Sequence, residues 1–284
     1  MNRFLLPILT FSTIACSPQY GMKIDGGTLD ASVSDTTDDG SGDVGDGDDP
    51  DDPDEDLSMY EDAVIRIVHP ESGDFLPLGE IHSFEAIIVN PEGDELPFDD
   101  VFWDSDADVE WGPIGGTIED DTIDVGRHNI TAQVELPDGS RLAHTVGGVL
   151  VQHEDAGTYV GDMILSMDTE LGGTPIGASC IGAAFVVVDE YGDAAEGTSA
   201  CTMDLLGYMT IPVDHSFAYD LDVTDLDGNA FVDIPFMGSG LPFPSEGTID
   251  EGDILTTWEG GVSGIFELAG TLDVTRITRE ITEL

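Results

Sequence analysis

From residue 57 onward the chain consists of short runs in which apolar and polar residues alternate, and each run stops at glycine, proline, aspartate or asparagine. This alternation has the two-residue period of a β-strand, and no stretch of about twelve residues shows the 3.6-residue apolar period of a helix. The pattern predicts an all-β protein. The clearest predicted strands are 64–68, 82–89, 128–136, 142–151, 163–167, 208–213, 217–223, 254–258 and 268–274.

Composition divides the chain into four segments. Residues 1–16 are mainly apolar, residues 17–57 are rich in Asp and Gly, and two β-rich segments follow at 58–153 and 154–284. The acidic segment has too little apolar surface to offset the entropy of ordering it, so we predict a disordered linker. A solvated tether is favoured there over a calcium-binding or interaction tail. The β-rich remainder is long enough for two domains.

The charge of the chain limits its partners. Sixty Asp and Glu face seven Lys and Arg, which gives a net charge of −53, and five arginines but no lysine follow residue 57. Few side chains are available to neutralise a row of phosphates, so nucleic acid and anionic lipid are not predicted partners. Salt at about 1 M shortens the screening length to about 3 Å. The composition therefore predicts a halophilic source or an envelope rich in divalent cations.

The N-terminus has the parts of an export signal. Arg3 precedes an apolar run, Phe4–Ile14, and this run of about eleven residues is too short for a membrane span of about twenty. The end of the leader, Ile14-Ala15-Cys16, resembles the lipobox of bacterial lipoproteins. The resemblance implies lipidation of Cys16 as the mature N-terminus, and Ser17 after it implies sorting to the outer membrane, on its periplasmic or exposed face. The alternative is an ordinary secretory signal with a chance cysteine.

Two further cysteines, Cys180 and Cys201, flank a turn signal at 190–193 that follows the apolar run 183–188. A hairpin folded at that turn would place the two cysteines opposite one another. Because disulfides form in oxidising compartments, we predict a structural disulfide. Metal binding and redox chemistry are not favoured, because no histidine lies at ligand spacing and redox cysteines are typically two residues apart.

The segment 58–153 has about the length and strand count of an immunoglobulin-like sandwich. Its motifs resemble those of bacterial Ig-like and PKD-type domains: the turns 70–73 and 90–94, Trp103 within 102–105, the strand 126–134 and the Asp-Gly turn 137–139. The alternation independently places Ile130, Ala132 and Val134 on one face, and Trp103 is the large residue expected between the sheets. A sugar platform at Trp103 is the alternative interpretation.

The segment 154–284 resembles no family in its sequence. Glycines precede or interrupt its alternating runs at positions 161, 177, 207, 247, 264 and 270. This pattern predicts a second β domain, either a small barrel or another sandwich, that is held by the cysteine pair.

No catalytic or cofactor motif is apparent. The six histidines form no His-Glu-x-x-His motif, no Gly-x-Ser-x-Gly elbow occurs, and no glycine-rich loop is followed by lysine. Carboxylate pairs carry no information among sixty acids. The one metal candidate is weak calcium binding at Asp225 and Asp227, where a hairpin turn at Asp227-Gly228 is favoured instead, because two positions of a calcium loop lack ligands.

These features predict a lipid-anchored protein of the cell envelope that acts as a non-catalytic adhesion, binding or scaffold module, with a protein or glycan partner. The alternative is a carbohydrate-binding or carbohydrate-cleaving surface lipoprotein that uses its C-terminal β domain. An exposed aromatic strip near Trp258, Tyr208 and Tyr219 would favour this alternative.

Overall fold

The computed structural model describes residues 57–98, 100–136, 139–235 and 238–282. These residues form sixteen strands and one short 3-10 helix, Leu57–Tyr60, and they contain no α-helix. The all-β prediction is therefore confirmed. Residues 1–56, which hold Cys16 and nearly all of the predicted linker, lie outside the described part of the chain, as do Pro137 and Asp138 of the predicted hairpin turn.

The first eight strands form two four-stranded sheets. One sheet has the order β1-β3-β4, with β6 also paired to β3, and the other has the order β2-β8-β7-β5. Only β2 and β8 are parallel among the pairs of these two sheets in the described chain. The strands are β1 (Val64–His69), β2 (Phe75–Pro77), β3 (His82–Val89), β4 (Glu95–Leu96), β5 (Phe102–Ser105), β6 (Thr117–Asp120), β7 (Gly126–Glu135) and β8 (Arg141–Gln152).

One apolar core joins these two sheets, and we call this pair of sheets the sandwich. Trp103 of β5 packs edge-on against Phe84 of β3, with ring centroids 5.9 Å apart, and its indole nitrogen donates to the Gly115 carbonyl at 2.8 Å. The predicted inward face of β7 is buried at Ile130, Ala132 and Val134. The core position predicted for Trp103 is confirmed, so its ring is not available as a sugar platform.

The last eight strands form a closed barrel. Each strand pairs antiparallel with the next along the chain, and β16 closes the barrel by pairing with β9. Of the two architectures predicted for this segment, the barrel is confirmed. Its strands are β9 (Gly157–Leu171), β10 (Thr174–Val188), β11 (Ala194–Leu205), β12 (Met209–Asp222), β13 (Asp225–Ile234), β14 (Gly238–Asp250), β15 (Asp253–Val262) and β16 (Phe266–Thr278).

The barrel is filled by its own side chains. Alternate residues of every strand point inward and form one buried apolar cluster. Trp258 is the largest side chain inside the barrel. Gly270 lies directly opposite it on the neighbouring strand, and a Cβ atom at Gly270 would lie only 2.2 Å from the indole ring. Glycine at this position therefore gives the Trp258 ring the space that it occupies.

Two sequence predictions in the barrel are wrong. The runs 208–213 and 217–223 belong to one strand, β12, because His215 between them points inward like the apolar residues on either side. The hairpin turn predicted at Asp227-Gly228 lies instead at Val223-Thr224, and Asp227 pairs with Asp220 inside the ladder. Both errors come from reading polar residues as the ends of strands.

Candidate functional site

The predicted disulfide is present. Cys180 of β10 and Cys201 of β11 are bonded, with Cα atoms 5.8 Å apart, and both side chains are buried on the inner face of the barrel. The turn predicted at 190–193 does connect these two strands. Their ladder runs only from Ala184–Ser199 to Val188–Ala195, and its register does not place the cysteines directly opposite. The disulfide therefore joins β10 to β11 beyond the end of their ladder.

The calcium candidates lie at the start of β13. Asp225 pairs with Asp222, Asp227 pairs with Asp220, and all four side chains are exposed on the outer face. No group of three or more His, Cys, Asp or Glu in the described residues is arranged to hold a metal ion. Weak calcium binding at Asp225 and Asp227 stays a prediction, without structural support.

The aromatic residues named for glycan binding do not share a surface. Trp258 and Tyr219 are buried inside the barrel, whereas Tyr208 lies at a hairpin tip. The exposed strip that would have favoured a carbohydrate-binding function is therefore not formed by these residues.

A buried network in the sandwich pairs a serine with a histidine. Ser105 Oγ lies 2.7 Å from His128 Nδ1, and His128 Nε2 lies 2.8 Å from the Asp124 carbonyl. Ser105 Oγ also accepts hydrogen bonds from the amides of Ala107 and Asp108. Because both side chains are buried and these contacts occupy their polar atoms, the network ties β5 to β7 and offers no accessible nucleophile.

A second buried polar group lies inside the barrel. The Tyr219 hydroxyl is 3.0 Å from Ser245 Oγ and 2.8 Å from Thr256 Oγ1, and it links β12 to β14 and β15. Burial raises the pKa of Tyr219, although its two hydroxyl partners oppose the rise. This phenol therefore stays neutral and serves as a crosslink within the apolar interior.

His215 is the ionisable group least suited to its surroundings. Its ring stacks on Phe217 at 6.3 Å between centroids and lies 6.3 Å from the Trp258 ring. Burial lowers the pKa of His215 to about 4, and the nearby Ser199 backbone opposes this lowering. Neither ring nitrogen forms a hydrogen bond of acceptable geometry with a described residue. The neutral form is therefore the form that the barrel accommodates.

Three of the five arginines beyond residue 57 lie where the sandwich meets the barrel. Arg279 donates to the Glu154 carbonyl at 2.7 Å, Arg276 donates to the same oxygen, and the Arg279 guanidinium lies 3.7 Å from the centre of the Phe75 ring. Arg127 forms an ion pair with Glu280 at 3.3 Å. The few cations of the described chain are thus concentrated at this junction.

Near the junction, burial shifts the pKa values of neighbouring groups more than the arginines do. Burial raises the pKa of Tyr159 to about 12, against the effect of Arg276, and the Tyr159 hydroxyl donates to the Asp155 carbonyl at 2.5 Å. Burial also raises the pKa of Asp155, although His153 lies 4.0 Å away. Desolvation and the adjacent Arg276 lower the pKa of Arg279. These groups bind one another, so the junction is a structural contact between the sandwich and the barrel.

The outer face of the barrel carries acidic residues directly opposite one another. Each of seven registered pairs joins two exposed carboxylates, and none of these thirteen residues forms an ion pair with another described residue. The pairs are Asp214–Asp233, Asp220–Asp227, Asp227–Glu246, Asp222–Asp225, Asp250–Asp253, Asp162–Asp273 and Asp168–Glu267. Like charges at directly opposed positions destabilise a sheet.

Salt is expected to stabilise this protein. At about 0.3 kcal/mol for each of the seven repulsions, screening in 1 M NaCl should raise the free energy of unfolding by about 2 kcal/mol over dilute buffer. The triple variant Asp162→Asn, Asp214→Asn, Asp220→Asn should show a smaller gain. Glu259→Gln, whose partner is Ala269, serves as the control with an unchanged gain. Denaturant titrations measure both, and a stability independent of salt would contradict this account.

The two ends of the barrel differ in charge. The hairpins at one end connect β10 to β11, β12 to β13 and β14 to β15, and acidic residues lie within or beside each turn, at 189–193, 222–225 and 250–253. The described hairpins at the other end contain no charged residue at 171–174, 205–209 or 262–266. Successive hairpins of an antiparallel barrel emerge at alternate ends, so this contrast belongs to whole ends of the barrel.

The uncharged end exposes large apolar side chains. We call Leu206, Tyr208, Met209 and Ile265 the apolar rim. Tyr208 is 91% exposed, Leu206 and Ile265 are each 61% exposed, and Met209 is half exposed. Carboxylates begin one residue behind the hairpin tips, at Glu170, Asp204 and Glu267. The rim is therefore a thin apolar cap on an acidic surface, and such exposed apolar groups typically mark contact sites.

Sequence reasoning missed the apolar rim, the junction arginines and His215. Tyr208 was predicted as the first residue of the strand 208–213, with Gly207 preceding it, and Leu206 was not singled out. The contrast with acidic turns such as 250–253 becomes visible only when alternate hairpins are assigned to one end. The signal was present in the sequence as turn segments without Asp or Glu, in a chain that has sixty of these residues.

Comparison of the chain with protein-family models, with curated proteins and with solved structures finds no match. Within the described ranges, no helix has both the length and the hydropathy of a membrane span.

Proposed function

We propose that this chain is a lipid-anchored cell-envelope protein whose sandwich and barrel form a non-catalytic binding or scaffold module. The observation that carries the proposal is the barrel itself, whose interior is packed with its own side chains while four large apolar side chains are exposed at its uncharged end. A barrel filled in this way contacts partners through its outer surface. The lipobox resemblance at Ile14-Ala15-Cys16 supports the anchor.

We further propose that the sandwich is immunoglobulin-like. Two features support this assignment. The first strand pairs with β3 in one sheet, whereas β2, next along the chain, pairs parallel with the last strand, β8, in the other sheet. A buried tryptophan, Trp103, lies on β5 between the sheets, as in immunoglobulin domains. Such domains present sheet faces and loops to partners, which favours a binding or scaffold role.

Fatty-acid labelling tests the anchor. Cells that express the full chain are grown with an alkyne-tagged palmitate, and the protein is then isolated and probed for the tag. The wild-type chain and the neighbouring control Ser17→Ala should be labelled, whereas Cys16→Ser should lose the label completely. Equal labelling of Cys16→Ser, or absence of label from the wild-type chain, would overturn the lipid anchor.

A further inference from the structure

We propose that the apolar rim inserts shallowly into the headgroup region of an uncharged lipid bilayer; this inference rests on the proposed anchoring at a membrane. The rim joins three aliphatic side chains to one tyrosine on two hairpins of the same barrel end. Aliphatic groups enter the boundary between headgroups and acyl chains, and tyrosine places its ring there with its hydroxyl in water. The composition of the rim is therefore suited to a bilayer surface.

The distribution of charge favours this end of the barrel as the membrane contact and favours uncharged lipid as its partner. Bringing a carboxylate into a bilayer requires removal of its water, which is costly without a partner. The described hairpin tips at this end carry no carboxylate, whereas the opposite end and the outer faces carry many. Glu170, Asp204 and Glu267 follow directly behind the tips and limit the depth of insertion. Because the rim has no cation, lipids without net charge are favoured over anionic ones.

The backbone at Leu206 supports a role for its side chain. Leu206 has a φ of 56° in the three-residue connection between Leu205 and Met209, a conformation that asparagine or glycine adopts more readily than leucine. A leucine here costs stability and exposes an aliphatic group. Val223, at the acidic end, has a similar φ of 61° and is 80% exposed, between Asp222 and Asp225. The backbone alone therefore does not distinguish the ends, but Val223 offers a matched control.

The chain between the anchor and the fold is long enough for the rim to meet the same membrane. Residues 17–56 separate Cys16 from the described fold. Forty residues span at most about 140 Å when fully extended, at about 3.5 Å per residue. This limit exceeds the combined length of about 90 Å that the twelve residues of β8 and the fifteen residues of β9 would span end to end. The anchor and the rim can therefore act on one bilayer together.

Vesicle flotation of the unlipidated chain tests the rim separately from the anchor. The chain carrying Cys16→Ser, without the apolar leader 1–15 that would itself partition into lipid, is mixed with phosphatidylcholine vesicles, and the bound fraction is measured over a range of lipid concentrations. Adding Leu206→Asn and Tyr208→Ser should weaken partitioning at least tenfold. Adding Val223→Asn instead should leave partitioning unchanged. Both asparagine replacements suit a left-handed turn, and thermal melts verify that each variant is folded.

The outcomes separate the rim from the anchor. Phosphatidylglycerol vesicles at low salt should bind the parent chain more weakly than phosphatidylcholine vesicles. Failure of the parent to bind vesicles, equal loss with Val223→Asn, or stronger binding to phosphatidylglycerol would overturn the proposal. Rim-dependent capture of a protein without vesicle binding would also overturn it. Palmitate labelling without vesicle binding would contradict membrane insertion of the rim alone, and vesicle binding without labelling would contradict the lipid anchor alone.

Discussion

Acidification from pH 6.5 to about 4 is expected to lower the free energy of unfolding by about 3 kcal/mol through His215 alone. The cause is burial, which lowers the pKa of His215 to about 4 in the folded barrel, from an ordinary value of 6.5. Between these two pH values the unfolded chain binds a proton at this residue and the folded chain does not. Stability therefore rises with pH across this window and is fully present above about 6.5.

The contribution of His215 to the pH dependence of stability is obtained by comparing the wild-type chain with a variant that lacks this histidine. Denaturant titrations at several pH values between 4 and 7 are compared for the wild-type chain and His215→Phe, which cannot be protonated. The wild-type chain should lose about 3 kcal/mol more than the variant on acidification. His69→Gln, which removes an exposed histidine of β1, should behave like the wild-type chain. Parallel pH profiles for the wild-type chain and His215→Phe would show that the ring is solvated in the folded state.

Removal of the Cys180–Cys201 disulfide is expected to lower the free energy of unfolding by about 3 kcal/mol. The bond closes a loop across a sequence separation of 21 residues, and the chain-entropy model gives about this value for such a loop. It also joins β10 to β11 where their registered ladder has ended. The double variant Cys180→Ala, Cys201→Ala should therefore unfold at a clearly lower denaturant concentration, and the parts of β10 and β11 beyond their shared ladder should exchange their amide hydrogens faster.

A reductant provides the matched test of the disulfide. Dithiothreitol should lower the stability of the wild-type chain to nearly that of the double alanine variant and should leave the variant unchanged. Cys16→Ala keeps the disulfide and should respond to reductant like the wild-type chain. If oxidised and reduced wild-type protein unfold at the same denaturant concentration, the bond contributes nothing to the stability of the barrel.

The local β pattern could be predicted from the sequence, but the ends of the strands could not. His82–Val89 was predicted with its full bounds, because polar and apolar residues alternate from Ser83 to Ala86, the apolar run continues to Val89, and turn residues lie at both sides. In the barrel, β9 extends well beyond the predicted 163–167, since Asp and Thr on the outer face of a barrel strand look like turn residues in sequence. His215 and Asp227 were misread for the same reason. A polar residue in a barrel strand marks a face of the sheet, not its end.

The disulfide was predictable because two cysteines flanked one clear turn signal, 190–193. The apolar rim was not, since it combines residues from hairpins about 60 positions apart, Leu206 and Ile265, that the up-and-down order of the strands brings to the same end of the barrel. The clustering of the arginines at the junction could not be predicted either, because it depends on closure of the barrel, in which β16 returns to pair with β9. Features set by closure depend on topology, which local periodicity does not encode.

The most direct test of the proposed function is the intact mass of the mature chain isolated from its native cells. The account predicts a polypeptide that begins at Cys16 and carries two or three fatty acyl chains on that residue. A mature chain without fatty acid, or one that retains residues 1–15, would contradict it.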